Sequence, residues 1–229
     1  MKNPPHHYTT LTALVVGVLG ALSASAADNS FYNTVGDYRW FTAGNWQAGI
    51  PDNTSTVYLN TAGKTSPANP LVITSATEKA KASNLNVAWG NNETGWLEVR
   101  SDLDVTAQSI VGRDSYTYGH QKFSAGTSTY NGNLYCGYLA NSTGVLEVAG
   151  GTLLVSTNAV TEFKLGENGN GFLELSSGTV RVKNGLVMGN NGGSSGTLAV
   201  SGGEIWIGTT IGHWIGTPTY RQSAGFASI

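Results

Sequence analysis

The chain has 229 residues, a formal net charge of -2, 11% charged residues and 31 glycines. So balanced a charge, with no basic run, gives no footing for a nucleic-acid partner. One cysteine, Cys136, rules out an internal disulfide framework, and glycines without a strict spacing of three rule out collagen.

The chain opens MKNPPHHYTT, followed by an apolar run from Leu11 to about Leu22 and small residues at Ala24 and Ala26. This pattern predicts a secretory signal over residues 1–26, cleaved after Ala26. The run is short for a span of about 20 residues, and no later segment is apolar enough to cross a bilayer. The expected location is extracellular, at the cell surface or associated with the outer membrane. Cys136, in the apolar phrase NLYCG, is expected to be a small buried packing residue.

Residues 27–56 read as an aromatic-rich N-terminal cap. Tyr38, Trp40, Phe41 and Trp46 precede a turn at Pro51–Asp52. The end of a stack of strands exposes apolar side chains and open edges, and a cap covers both. A rival reading makes Trp40 and Trp46 a platform for a sugar.

Residues 57–229 read as stacked coils. VYLN (57–60) and LVIT (71–74) are predicted to be the first strands, and ATEKAKA (76–82) a polar loop. Further along, one phrase recurs as LEVAGGTLLV from Leu146, LELSSGTVRV from Leu173 and LAVSGGEIWI from Leu198. Fainter copies start at Gln121 and Tyr220. Within the phrase, apolar and polar residues alternate, as in strands with one buried face. Gly151, Gly178 and Gly203 share the slot where the chain turns, a position suited to left-handed backbone. A short apolar strand then ends in glycine, at Gly90, Gly112, Gly137, Gly166, Gly189 and Gly212. The intervals of 22, 25, 29, 23 and 23 residues suit a coil whose corners absorb insertions, with STNAVTEF (156–163) as the longest. Three strands and three corners per coil predict an all-β, right-handed, three-sided parallel β-helix. Six coils are counted. The last stops within a coil at Ile229, so the chain is expected to be part of a longer protein.

Few residues suggest chemistry. Glu147 and Glu174 share a slot on neighbouring coils, but Glu98, Lys122 and Ala199 occupy the same column, which reads as a solvated face of mixed charge. Asp102 and Asp104 have no obvious basic partner. His120 and His213 lie in separate coils, and no His or Cys spacing forms a metal site. Ser177, Ser195 and Ser201 sit in glycine-rich corners without a base, and GNNGGSSG (189–196) lacks the lysine and helix of a phosphate loop. No catalytic residue, cofactor or metal is therefore assigned. The candidates for contact with a glycan or partner are aromatic: Trp40, Trp46, Trp206, Trp214, Tyr116 and Tyr118. Tyr130 is grouped with Tyr116 and Tyr118 on one coil.

The run W-x5-NW-x3-IPD (Trp40, Asn45–Trp46, Ile50–Asp52), followed by coils of L-x-V-x-G-G with Gly150–Gly151, Gly178 and Gly202–Gly203, resembles large bacterial surface proteins. These are autotransporter passenger-like β-helix proteins, including those with a PEP-CTERM sorting tail. The resemblance covers roughly residues 38–229. It implies export and display, with adhesive or structural roles and with surface glycans, matrix or other cell-surface proteins as partners. The alternative is a carbohydrate-binding or polysaccharide-degrading β-helix.

Overall fold

The computed structural model describes residues 27–60, 63–155, 162–209, 211–212 and 215–228. The predicted signal, Trp214, His213 and most of the 156–163 insertion lie outside these. Every pairing between named strands is parallel, and from Ser55 onward each turn of the chain lays strands on three faces.

The first face is an eight-stranded sheet running from Ala27–Ser30 to Ile211–Gly212, through Ser55–Leu59, Asn84–Val87, Ser109–Val111, Leu134–Cys136, Phe163–Leu165 and Leu186–Met188. The second and third faces merge into a twelve-stranded sheet because Thr143–Val155 and Asn170–Val182 run unbroken round their shared corner. The molecule is thus a three-sided parallel β-solenoid of about eight turns. At about 4.8 Å per turn it is a rod on the order of 35 Å long.

The alternation in the sequence sets which side chains enter the interior. On the second face Leu71, Leu97, Gln121, Leu146, Leu173 and Leu198 form one continuous column. On the third, Leu103, Ser128, Leu153, Val180 and Ile205 form another. All of these side chains are buried. Removing such columns from water supplies most of the drive to fold, at roughly 25 cal/mol per Å² of apolar surface. Cys136 is fully buried among them, and burial pushes its thiol up to about 12, which makes it inert at neutral pH.

Glycine holds two kinds of position. Gly151, Gly178 and Gly203 turn the corner between the second and third faces with φ of +66°, +84° and +74°, as the shared slot predicts. A second column, Gly95, Gly119, Gly144, Gly171 and Gly196, lies in register at the start of the second face. Here the constraint is contact. A Cβ on Gly144 would stand 2.1 Å from the Val111 carbonyl oxygen, and one on Gly171 2.3 Å from the Gly166 nitrogen. Backbone fills that space, so no side chain fits.

Four expectations need correction. The solenoid has eight strands on its first face rather than six coils' worth, because Ala27–Ser30 already pairs with Ser55–Leu59. Ala80–Ala82 is a strand with both alanines buried, where a polar loop was expected. Gly90 does not end the first strand of its turn: Val87 pairs with Val111, so Ala88, at φ 64°, takes the slot of Gly112. Gly212 pairs with Val187 and therefore lies two positions ahead of the slot held by Gly189.

The N-terminal residues close one end of the rod. Trp40 and Trp46 meet edge to face with centroids 4.9 Å apart, and Phe31 stands 5.1 Å from Trp46. The Trp46 indole N–H donates to the Trp40 carbonyl at 2.7 Å. The Trp40 N–H and Tyr38 carbonyl bond to Val72, and the backbone on either side of Trp46 bonds to Ser30 and Tyr32, so the cap covers edges of the first and second faces. Asn45 is buried and donates to the Asp37 carboxylate at 2.5 Å and the Arg39 carbonyl at 3.1 Å. Burial opposes charge on Asp37, but hydrogen bonds from Thr42 and Asn45 outweigh it and hold the carboxyl below its usual range. Asp52 accepts from Thr54 and Ser55 and turns the chain into Ser55–Leu59.

Candidate functional site

The outward side chains of the second face stand in columns, one residue per turn. Thr94, Tyr118 and Thr143 form one, Trp96, His120, Val145 and Phe172 the next, and Glu98, Lys122, Glu147 and Glu174 the third. A loop carrying Pro67 and Pro70 runs beside the first turns of these columns. Thr65 fastens it, its hydroxyl accepting the Trp96 backbone N–H at 3.1 Å. Between loop and sheet lies a groove of about 460 Å³, floored by Trp96, Tyr118, His120 and Lys122 and flanked by Glu98 and Glu147.

Its polar groups are tied to one another. Lys122 Nζ lies 2.7 Å from Glu147 Oε1, and His120 Nε2 lies 3.3 Å from Glu147 Oε2. Arg100 donates to Glu98 at 2.6 Å and Ser124 donates to its other oxygen at 2.8 Å. The Trp96 and Tyr118 rings lie 5.4 Å apart and tilted by 37°. Burial lowers the His120 pKa, with Glu147 opposing, so the imidazole is neutral at neutral pH. The Arg100 hydrogen bond holds Glu98 below the ordinary carboxylate range. A general acid in glycoside hydrolysis needs the opposite shift. The groove offers an aromatic surface and a fixed row of donors and acceptors.

The aromatic residues singled out from the sequence do not share one surface. Trp40 and Trp46 are 0% and 6% exposed. They are core residues of the cap, and the sugar-platform reading fails because neither ring face meets solvent. Tyr116 is 66% exposed at a corner and Tyr118 is 38% exposed in the groove. Tyr130, grouped with them, points inward and is buried. Trp206 is 39% exposed on the third face, 5.3 Å from Phe226 and 5.9 Å from the Arg181 guanidinium. A shallower recess of about 400 Å³ lies there, with Leu154 and Lys183 on its walls.

Asp104, expected to lack a basic partner, has Lys79 at 3.8 Å, and Asp102 accepts the Thr127 backbone N–H at 2.8 Å. Glu147 and Glu174 do stand on neighbouring strands, but Lys122 and His120 hold Glu147 from the other side. Among the described residues no three His, Cys, Asp or Glu side chains gather as metal ligands would. None of the helices among those residues is long and apolar enough to cross a membrane.

Sequence reasoning missed Trp96, and with it the prolines that wall the groove. The available signal was register: writing WLEV and HQKF in the frame of VLEV places Trp96 beside His120 and ahead of the charged column. No protein-family model matches the chain, and neither a curated protein nor a solved structure matches it.

Proposed function

We propose that this chain is an exported, surface-displayed β-solenoid whose work is contact, in the manner of an adhesin or structural surface module. The autotransporter passenger-like or PEP-CTERM-type identity belongs to this proposal and rests on the motifs around Trp40, Trp46 and the corner glycines. One observation carries the reading: side-chain columns run over outward faces that stay in register from turn to turn. Such an object presents a long, rigid surface at little ordering cost on binding.

Labelling intact cells of the source with an antibody to the chain, followed by protease shaving, tests display. Signal on intact cells and its loss on shaving are expected; protection until lysis would defeat the reading. Incubation with a polysaccharide panel separates contact from bond cleavage, because new reducing or unsaturated ends would mark an enzyme. A carbohydrate-binding role is the second reading, and the Trp96 groove is the observation that favours it.

A further inference from the structure

We infer that the groove at Trp96 is a binding site for a neutral polysaccharide lying along the solenoid axis. This deepens the surface-contact reading by naming a ligand class. The lining comes from three successive turns, with Trp96 and Glu98 on one, His120 and Lys122 on the next and Glu147 on the third. Turns repeat about every 4.8 Å, close to the length of one pyranose residue in an extended chain. Successive sugars therefore meet successive turns, and a long polymer passes over the outward face without threading.

Trp96 and Tyr118 supply ring surface for the C–H face of a sugar. Beside them Glu98, Lys122 and Glu147 alternate acceptor, donor, acceptor. Sugar hydroxyls both donate and accept, so each finds a partner in that row. The ion pairs that fix these side chains leave lone pairs and ammonium hydrogens for a ligand, and they hold the row in place before binding.

Lys122 and Arg100 are both paired with carboxylates, so no excess positive charge attracts a polyanion or nucleic acid. Leu97–Val99 pairs with Leu71–Ile73 on one side and with Tyr118–Phe123 on the other, Tyr118–Phe123 has a strand on both sides, and the Trp96 N–H is taken by the Thr65 hydroxyl, so little free backbone edge is left for an extended peptide to join. Recognition falls to side chains alone, as a hydroxyl-rich chain requires.

The test uses the purified full chain with cello-, xylo-, manno- and chito-oligosaccharides, followed by saturation-transfer NMR and calorimetry. Polygalacturonate and heparin serve as anionic probes. Saturable binding to at least one neutral series is expected, and it should persist in about 0.5 M salt, where exposed charges are screened. Trp96→Ala should weaken it at least about tenfold, as loss of a central aromatic anchor does. Lys122→Met should weaken it too, whereas Trp206→Ala on the third face should leave it unchanged. Thermal melts of each variant verify folding, and Trp96→Phe, which keeps a ring, should retain part of the affinity.

Absence of binding to every neutral series, binding confined to the anionic probes, or full affinity in a folded Trp96→Ala variant would each overturn the inference. The two proposals fail separately. Surface display with undiminished cell or matrix attachment by the Trp96→Ala variant would keep the contact reading and remove the groove from it.

Discussion

The turn that contains Gln121 has an unusual interior, and its energetics are open to a double-mutant cycle. Gln121 occupies a column otherwise filled by leucines from Leu71 to Leu198. Its amide donates to the Tyr130 hydroxyl at 2.5 Å, while its carbonyl oxygen is buried without a partner. Phe123 and Tyr130 are bulky neighbours 6.3 Å apart, and the same turn carries Ser109 and Ser128 at interior positions. The small residues compensate for the volume of the large ones.

Tyr130→Phe removes the hydroxyl and leaves the whole Gln121 amide unsatisfied, which costs about 1–3 kcal/mol. Gln121→Leu restores the leucine column and removes the orphaned oxygen but strands the Tyr130 hydroxyl, so these effects nearly cancel. The double variant has neither group, and its stability should equal or exceed that of the unaltered chain. The expected coupling is about 1–3 kcal/mol in favour of the matched pairs. Equilibrium urea unfolding, followed by circular dichroism and tryptophan fluorescence, measures all four species, with equal m-values required for comparison. If Tyr130→Phe were as stable as the unaltered chain, or the single changes added to the double within about 0.3 kcal/mol, the pair would not be energetically coupled.

Two further outcomes follow from the geometry. Gly171→Ala adds a Cβ 2.3 Å from the Gly166 nitrogen of its own turn and 2.4 Å from the Cys136 carbonyl oxygen of the turn before. It should destabilise by more than about 3 kcal/mol, beyond ordinary overpacking, whereas Gly193→Ala, with open space around it, should cost only the strain of its positive φ; comparable urea midpoints would contradict this. The folded-state pKa of His120 is lowered by burial, so the unfolded chain takes up that proton first. Its contribution to stability is present above the ordinary histidine value of about 6.5 and is lost as pH falls through the lower folded value. His120→Gln should flatten that part of the stability–pH curve, and an unchanged slope would mean that the imidazole titrates alike in both states.

The solenoid was legible in the sequence where two signals coincide: strict alternation and a glycine at the corner. Both are present from Leu146 to Ile207, and the register found there is the one the repeated phrase implies. Where one signal drops out, the reading weakens for physical reasons. Ala80 and Ala82 bury fully, yet alanine has too little side chain to distinguish a strand from a loop when lysines flank it. Ala88 adopts the left-handed backbone that marks a corner without the glycine that advertises it. The turn of Trp96 is the instructive case. Three residues separate Val99 from Leu103, against four between Phe123 and Ser128 and four between Val148 and Leu153. Its corner is Arg100–Ser101–Asp102, without glycine, so the repeated phrase is not heard there and its outward slots go unread.

That deviation has consequences for the surface as well. Arg100 and Ser124 both bond Glu98, so the irregular corner and its neighbour on the next turn are what fix one wall of the groove. The interior columns tolerate such variation because burial constrains only alternate residues. The outward residues are then free to differ from turn to turn, and on the second face they do: Glu98, Lys122 and Glu147 alternate in sign, while Ala199 carries no charge. A repeating core under a non-repeating surface is how a solenoid built for rigidity acquires one place that differs from the rest. The Trp96 groove is such a place, with its rings, its paired charges and its proline wall drawn from separate turns.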